Sequence, residues 1–252
     1  MNWMTQCAVV IPCLNEGANI GQVVNTARRL VNTIFVVDDG SQDGTGAIAK
    51  RAGAEVLRHP VPRGKGAALQ TGWAHARERG FRWTLMMDGD GQHSVEDIPK
   101  FFESAERTGA ALVVGNRMEK PEGMPPVRRL VNRWMSQRIS SLAKMRLPDS
   151  QCGFRLMNLD TRVDLSVNAG HFEIESDMLL AVARRGDPIA FVPIAVIYKD
   201  EQSKIHPVRD TVRWVRWWWR AGSVGEKALT PASSCRTAEG EVVPAWEGNR
   251  VG

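Results

Sequence analysis

The sequence has few cysteines, and the four present form no metal-binding or disulfide pattern. They are scattered along 252 residues without a C-x-x-C pair or a matching histidine cluster, at Cys7, Cys13, Cys152 and Cys235. A structural zinc site needs paired Cys or His ligands at short spacing, and a disulfide framework needs a dense cysteine pattern. The sequence therefore predicts reduced thiols and a cytosolic chain.

Long apolar runs are also missing. No run approaches the roughly 18 apolar residues that a membrane-spanning helix needs. The N-terminal stretch MNWMTQCAVVIPCLNE has no basic region followed by a long apolar segment, so no signal peptide is expected. The net charge is nevertheless +5, which favours an anionic partner such as nucleic acid, a membrane surface or a phosphorylated substrate. We therefore expect any contact with a bilayer to be peripheral.

Three common ion-binding or nucleotide-binding loops are absent. DDGSQDG alternates oxygen ligands from Asp39 as a calcium loop does, but its twelfth position is Lys50 rather than glutamate. DGDGQH has Pro99 at the same position. RGKG at 63–66 lacks the earlier glycine and the Ser/Thr of a P-loop, and the third glycine of a dinucleotide fingerprint. These departures exclude all three kinds of site.

Short apolar strands alternate with helix-like segments between residues 7 and 115. The strand-like runs are CAVVIP, TIFVVDD, AEVLRH, WTLMMDGD and ALVVGNR, with helices expected near 17–31, 43–52, 64–79 and 94–107. FEIESDMLLAVARRG and IAFVPIAVIY add a later helix and strand. This alternation predicts an α/β fold with a mostly parallel central sheet covered by helices on both faces. Ligands of such sheets bind at the carboxyl ends of the strands.

Carboxylates accumulate at that predicted edge. Asp88 and Asp90 follow a buried strand with one glycine between them, Asp38 and Asp39 end a neighbouring strand, and Glu16 follows a third. At least four carboxylates are thus predicted to converge, where they repel each other unless a cation sits among them. A plain solvated turn fits D-x-D alone, but the shared edge favours a hard divalent cation.

Other side chains of the same loops suit a phosphorylated ligand. Gln92 adds an oxygen beside the D-x-D pair. Arg63, Lys65 and Arg117 bring positive charge to the same edge. The edge therefore combines candidate metal ligands with candidate phosphate ligands.

The character of the sequence changes after residue 123. Segment 125–147 has apolar positions at helical spacing, six basic side chains and no acidic ones. Segment 206–221 contains VRDTVRWVRWWWR, whose arginines fall on one side of a helix and whose tryptophans spread over the other. This pattern predicts an interfacial helix at an anionic membrane, although a helix docked on the sheet through its tryptophans fits it as well. Residues 222–252 are expected to be a flexible tail.

Five ordered motifs, VVIPCLNE, VVDDGSQDGT, RGKGAALQTGW, MDGDGQH and GNR, resemble the signatures of family-2 glycosyltransferases. The later PDSQCGFRLMN and FEIESDM resemble more narrowly the polyprenyl-phosphate (dolichyl-phosphate) mannose and glucose synthases. The likeness covers residues 7–205. It implies an A-type nucleotide-sugar-binding fold, a catalytic domain over 1–205, Mg²⁺ or Mn²⁺, a nucleotide sugar donor such as GDP-mannose or UDP-glucose, and a polyprenyl phosphate acceptor.

The resemblance also implies roles for individual residues. The nucleotide sugar would be bound by Pro12, Asn15, Glu16, Asp39, Lys65 and Asp88. The metal would be held by Asp88, Asp90 and Gln92. The catalytic groups would be Asp90, Arg117, Arg155, Glu175 and Asp177. A structural ion pair remains open for Arg155. An ordinary polar helix face remains open for Glu175 and Asp177, which depart from the residues usual in relatives.

The acceptor decides what catalysis requires. A lipid monophosphate has a second pKa of about 6, so it is mostly dianionic at neutral pH and needs no strong general base. A hydroxyl or soluble glycan acceptor needs one, for which Asp90, Glu175 and Asp177 are the candidates. Single displacement inverts the anomeric centre in either case. We expect the enzyme at the inner face of the membrane, where a separate membrane-protein partner is also compatible with the sequence.

Three other function classes fit less well. A nucleotidyltransferase usually has a Gly-rich N-terminal signature, which VVIPCLNEGAN lacks. A non-catalytic sugar-nucleotide-binding module would be favoured by loss of the D-x-D carboxylates, but Asp88 and Asp90 are both present. Nucleic acid is not an expected partner, because the Trp-rich segment is predicted as a helix rather than as a sheet face with aromatic side chains.

Overall fold

The protein's computed structural model describes residues 1–119, 121, 123–161, 174–195 and 197, and contains a seven-stranded sheet. The strands are β1 (Cys7–Cys13), β2 (Thr33–Asp38), β3 (Glu55–Arg58), β4 (Trp83–Met86), β5 (Leu112–Asn116), β6 (Arg155–Asn158) and β7 (Ile189–Pro193). The helices are α1 (Trp3–Gln6), α2 (Ile20–Ala27), α3 (Thr45–Arg51), α4 (Lys65–Glu78), α5 (Ile98–Thr108), α6 (Pro126–Ala143) and α7 (Ile174–Arg184). A 3₁₀ turn at Val95–Asp97 precedes α5.

The strand order is β3-β2-β1-β4-β6-β5-β7, and β6 alone runs against its neighbours. The β1, β2, β3 and β4 strands pair in parallel, as do β5 and β7. The predicted α/β class with a mostly parallel sheet is confirmed. The β6 strand was not predicted, because its four residues carry no periodic signal and its partners lie far away in sequence.

The reversed direction of β6 matters for the site. Arg155, its first residue, pairs with Met86 at the end of β4 and with Val114 near the end of β5. The residues just before β6 therefore lie at the carboxyl edge of the parallel strands. This geometry brings the PDSQCGF segment to the same edge as the D-x-D loop.

The sheet core is continuous and apolar, as parallel strands covered on both faces require. In β1 every residue except Pro12 is buried. The α4 helix packs directly over this strand, and Gly72 makes the approach possible. A Cβ at Gly72 would lie 2.4 Å from a methyl group of Val10, closer than real carbon contacts allow. This close packing fixes the start of α4, where Lys65 lies, relative to the strand ends.

The C-terminal predictions are met in part. The α6 helix lies within the predicted 125–147 segment and stops at Lys144, whose φ is +53°. The helix predicted from FEIESDMLLAVARRG is present as α7, and the strand predicted from IAFVPIAVIY is present as β7. The predicted helix 206–221 and tail 222–252 lie outside the described residues. Within the described ranges, no helix combines the length and apolar character needed to cross a bilayer.

Candidate active site

The loops after β1 and β2 are fastened to each other by side chains of both. Asn15 donates its backbone N–H to Ser41 Oγ at 2.9 Å, and its side-chain oxygen accepts the N–H of Gln42 at 2.9 Å. Glu16 and Gly17 donate their N–H groups to Thr45 Oγ1 and to a carboxylate oxygen of Asp43. The alternating oxygen groups of DDGSQDGT thus hold the LNEG loop in place. Glu16 is positioned beside the D-x-D loop as a result.

Asp39 receives donors from its own chain on both carboxylate oxygens. Its Oδ1 is 2.6 Å from His59 Nδ1 and accepts the N–H of Arg63, while Oδ2 accepts the N–H of Gly64. His59 is buried and also contacts Thr71 Oγ1 through Nε2 at 2.9 Å. Asp39 therefore anchors the RGKG loop at the start of α4. Its predicted place at the nucleotide pocket is compatible with this position, because Oδ2 accepts one hydrogen bond from the described residues and a carboxylate oxygen can accept a second.

Asp88 lies next to a lysine that also binds a second carboxylate. Lys65 Nζ is 2.6 Å from Asp88 Oδ1 and 2.7 Å from Glu175 Oε1. Burial opposes ionisation of Asp88, but the charge and hydrogen bond of Lys65, together with the nearby His93 and Arg117, outweigh it and lower the pKa of the carboxyl to about 2. The structure thus brings together three residues predicted for the site, from α4, the D-x-D loop and α7.

Asp90 lies in a different electrostatic environment from Asp88. Burial raises the pKa of the Asp90 carboxyl, and the negative charges of Asp88 and Glu16 raise it further. From the described part of the chain, the Asp90 carboxylate accepts one hydrogen bond, from the N–H of Gln92 at 2.9 Å. Gly89 allows this crowding, since a Cβ there would lie 2.6 Å from Cys13 Sγ. Asp90 thus lacks a positive partner of its own within the described residues.

These residues fit a metal ion that the substrate helps to hold. No three His, Cys, Asp or Glu side chains in the described ranges are grouped closely enough to bind a metal by themselves. The prediction that four carboxylates surround one cation is therefore wrong, because Asp38 and Asp39 serve their own loop. Mg²⁺ is commonly bound by one or two carboxylates together with substrate phosphates. Asp90 lies beside the negative charges of Asp88 and Glu16, and one of its carboxylate oxygens accepts no hydrogen bond from the described residues. It therefore suits an ion that is bound jointly by the protein and by substrate phosphates.

Arg117 is held by a carboxylate that was not predicted. Its guanidinium makes a bidentate contact with Asp149, with Nε at 2.7 Å and a terminal nitrogen at 2.9 Å. Asp149 is fully buried, and although burial opposes its ionisation, Arg117 holds the pKa of the carboxyl below its usual range. Arg117 also lies near enough to Asp88 to help lower that residue's pKa. A rigid, oriented arginine at the edge is compatible with the predicted phosphate contact.

Arg155 is placed differently from the prediction. Its side chain is 1% exposed, and its three nitrogens donate to the backbone carbonyls of Cys152, Glu175 and Ser150 at 2.6 to 2.9 Å. With its donors turned to the backbone and water excluded, Arg155 does not fit as a phosphate ligand. It instead joins the loop before β6 to the first turn of α7. Arg155 therefore positions Glu175 rather than contacting the substrate.

The remaining predicted residues also lie at or near the edge. Pro12 lies in β1, one residue before its last, and Asp177 lies in the first turn of α7, two residues after Glu175. His93 was missed, although it ends the DGDGQH motif. The N–H of Asp88 approaches His93 Nδ1 at 3.3 Å, and the imidazole stacks on Phe154. Burial lowers the pKa of His93, so a neutral ring supports the loop.

The α6 helix buries a polar face and exposes an apolar one. Its inner side contacts the loop before β6 through Asn132, Ser136 and Ser140. Its outer side carries large exposed apolar residues with arginines between them. The apolar members, named here the α6 outer face, are Val127, Leu130, Val131 and Trp134, and the arginines are Arg128, Arg129, Arg133 and Arg138. A cavity of about 240 Å³ opens beside this face, lined in part by Arg129, Leu130 and Arg133.

Comparisons with known proteins agree with the fold. The sequence model named Glycosyl transferase family 2 matches residues 8–161. An undecaprenyl-phosphate mannosyltransferase of Micrococcus luteus is 31% identical, over 76% of this chain and 83% of the relative. A polyprenol monophosphomannose synthase of Mycolicibacterium smegmatis is 30% identical, over 74% and 75%.

Solved structures are similar in fold at lower identity. Glucosyl-3-phosphoglycerate synthase from Mycobacterium tuberculosis, in complex with Mn²⁺, UDP and phosphoglyceric acid, aligns with a TM-score of 0.64 and 21% identity. The alignment covers 91% of this chain and 81% of that one. At this identity the likeness establishes the fold alone.

Proposed function

The chain belongs to glycosyltransferase family 2 and is a glycosyltransferase, and we propose that its acceptor is a polyprenyl phosphate. The proposed donor is a nucleotide sugar, GDP-mannose or UDP-glucose, and the proposed product is a hexose linked to the lipid phosphate. The observation that carries the donor half is the crowded carboxylate of Asp90 at the strand edge, beside Asp88 and Glu16. The acceptor half is supported by relatives named for undecaprenyl and polyprenol phosphates.

On the donor side, the chain provides charge where the leaving group develops. Asp90 and Gln92, with Asp88 beside them, are the residues we propose to hold Mg²⁺ or Mn²⁺, which would supply positive charge against the nucleoside diphosphate. Pro12, Asn15, Glu16 and Asp39 line the proposed nucleotide pocket. Lys65 and Arg117 are the cationic side chains of the same edge and are proposed to contact phosphate oxygens.

On the acceptor side, a phosphate nucleophile reduces what the protein must do. A lipid monophosphate is mostly dianionic at neutral pH because its second pKa is about 6. The task of the chain is then to orient that anion in line with the leaving diphosphate and to exclude water. Arg117, held in one orientation by Asp149, suits a rigid site of this kind. Single displacement by the phosphate would invert the anomeric carbon.

The α6 outer face supports a membrane location for the acceptor. Val127 is 75% exposed and Leu130 69% exposed, which is unusual for large apolar side chains next to one another on a helix. Arginines lie between them, and α6 contains no acidic residue. Apolar side chains with interspersed arginines suit the interface of an anionic bilayer. We propose that the enzyme works at such a surface, on the cytoplasmic side.

A donor and acceptor screen tests this function. Purified protein is incubated with labelled GDP-mannose, UDP-glucose or UDP-GlcNAc and a polyprenyl phosphate in detergent, with Mg²⁺, Mn²⁺ or EDTA. We expect metal-dependent transfer of label into the organic phase from one of the first two donors. Metal-dependent binding of a nucleotide sugar without transfer would contradict the lipid acceptor and favour a hydroxyl or soluble glycan acceptor. Binding without transfer to any acceptor would favour a non-catalytic module.

The membrane location is tested with a variant of the α6 outer face. Replacing Val127 and Leu130 together with Ser should weaken sedimentation with anionic vesicles about tenfold, because two apolar side chains lose their burial in the interface. Met4→Ser is the matched control, since Met4 is 43% exposed on α1 before the opposite end of β1. Equal sedimentation of all three proteins would contradict docking through α6.

A further inference from the structure

The ammonium group of Lys65 lies between two carboxylates, those of Asp88 and Glu175. Its Nζ lies 2.6 Å from Asp88 and 2.7 Å from Glu175, and its side chain is 20% exposed. Burial opposes the charge on Lys65, but the two carboxylates outweigh burial and raise the pKa of the ammonium above its usual value. With two carboxylates at ion-pair distance, Lys65 acts as the counter-ion of the D-x-D loop.

Lys65 is closely packed where it meets Asp88, but the Glu175 carboxylate that it also contacts has an oxygen without a hydrogen-bond partner among the described residues. Gly153 closes the pair from the loop before β6, because a Cβ there would lie 2.9 Å from an Asp88 oxygen and 3.0 Å from Nζ. Glu175 is 6% exposed, and its Oε2 accepts no hydrogen bond from the described residues. One of the two carboxylates that hold Lys65 is thus only half satisfied.

The charges at the edge do not balance with Lys65 alone. The Asp90 carboxylate lies beside Asp88 and accepts one hydrogen bond, from the N–H of Gln92, and no ion pair with a described residue neutralises it. A divalent cation beside Asp90 would relieve the repulsion between the two carboxylates, but it would also meet the ammonium at Asp88. Two cations on one carboxylate repel each other, so each binds the carboxylate more weakly than it would alone. Metal binding to the free protein is therefore opposed by Lys65.

We propose that Lys65 is an exchangeable counter-ion, which occupies Asp88 while the donor is absent and moves to the diphosphate when metal and nucleotide bind. This inference rests on the proposed function. A lysine suits the role because its compact ammonium sits on a flexible stem with three rotatable donors. Metal alone then binds weakly, whereas metal and nucleotide bind cooperatively, because the diphosphate offers Lys65 a new partner. The departure of Lys65 thereby frees an Asp88 oxygen for the metal.

The test measures metal affinity separately from activity. Free Mn²⁺ is titrated by electron paramagnetic resonance against wild type and Lys65→Met without nucleotide. UDP and GDP are then each titrated at saturating Mn²⁺. We expect Lys65→Met to bind Mn²⁺ alone on the order of tenfold more tightly, and the preferred nucleoside diphosphate on the order of tenfold more weakly. Lys100→Met is the matched control, because Lys100 pairs with the buried Asp97 away from the D-x-D pair.

A second set of variants separates exchange at Asp88 from a general charge effect. In the Asp88→Asn background, Lys65→Met should no longer tighten Mn²⁺ binding, because the freed carboxylate is missing. If the gain persists there, or if Lys65→Met leaves Mn²⁺ binding unchanged or weaker, the exchange is overturned. The double variant Lys65→Met/Glu175→Gln should also bind Mn²⁺ alone more tightly and the nucleoside diphosphate more weakly. In this variant, Glu175 is not left as a buried carboxylate without its lysine.

The outcomes for wild type keep this inference distinct from the proposed function. If wild type binds Mn²⁺ and a nucleoside diphosphate and Lys65→Met gives the same affinities in both titrations, the exchange is overturned. The proposed function is unaffected by that result. A wild-type protein that binds neither ligand overturns both.

Discussion

Two pairs of carboxylates lie at the ends of β2 and β4, the two strands that flank β1, yet they have different partners. Asp39, just after β2, contacts His59 Nδ1 and accepts N–H groups from the loop that opens α4. Asp38, the last residue of β2, accepts the N–H of Ser41 and lies 3.7 Å from Arg58 Nε. Asp88 and Asp90 follow β4. Among the described residues, Asp88 contacts Lys65 and lies 4.0 Å from His93 Nε2, and Asp90 accepts the N–H of Gln92. The first pair holds two loops together, whereas the second keeps negative charge in excess. Asp39 accepts donors on both oxygens and has a structural role, whereas Asp90 accepts one backbone N–H from the described residues and suits a bound cation.

The largest expected effect comes from removing the excess charge at Asp90. Asp90→Asn should lower metal-dependent turnover by roughly 10²-fold to 10³-fold or more, because the charge that holds the ion is gone. Its free energy of unfolding should be equal to or above that of wild type. The raised pKa means that the ionised carboxylate costs stability at neutral pH. Initial rates with Mg²⁺ and urea unfolding measure the two effects. Normal turnover of Asp90→Asn would contradict the proposal that Asp90 binds the metal.

The opposite pattern is expected for the first pair. Asp39→Asn should lower the free energy of unfolding by about 1–3 kcal/mol, because an amide cannot accept all the hydrogen bonds that both carboxylate oxygens now accept. Asp160→Asn is the matched control, since Asp160 pairs with Arg82 at the surface and should change stability little. Urea unfolding of both variants measures the difference. Equal stability of Asp39→Asn and wild type would remove the contrast between the two pairs.

A smaller effect is expected at the histidine that orients Asp39. His59→Gln breaks the bridge from Asp39 to Thr71 and should weaken binding of the preferred nucleoside diphosphate by about threefold to tenfold, as loss of one orienting hydrogen bond does. Turnover at saturating donor should change less than KM. His75→Gln is the control, because His75 pairs with Glu55 away from the strand edge. A fall in turnover without a change in KM would contradict an orienting role.

Most of the fold and part of the site could be predicted from the sequence. Alternating apolar strands and helices predict β1 to β5 because each element shows its own local pattern. The β6 strand escaped prediction because its antiparallel place between β4 and β5 depends on partners more than forty residues away in sequence on both sides. The Arg117–Asp149 pair was also not predicted, since Asp149 lies in the loop between α6 and β6, which reaches the edge through the reversed direction of β6.

Side-chain partners were predicted less well than positions. The sequence placed four site residues near one another: Asp88, Asp90, Lys65 and Glu175. The structure joins Lys65 to Asp88 and Glu175, whereas Asp90 forms no ion pair with a described residue. Arg155 was expected at a phosphate, but its burial and its backbone acceptors could not be read from CGFR alone. Motifs mark which residues share an edge. The donors around each group decide what it can do there.

The most direct test of the account is the position of a bound metal. Crystals grown with Mn²⁺ and the preferred nucleoside diphosphate should give one strong anomalous peak beside Asp90, about 2.1 Å from a carboxylate oxygen and in contact with the diphosphate. Lys65 should have left Asp88 in the same crystals. A peak at Asp38 or Asp39, or bound nucleotide with no peak at the D-x-D loop, would contradict the account.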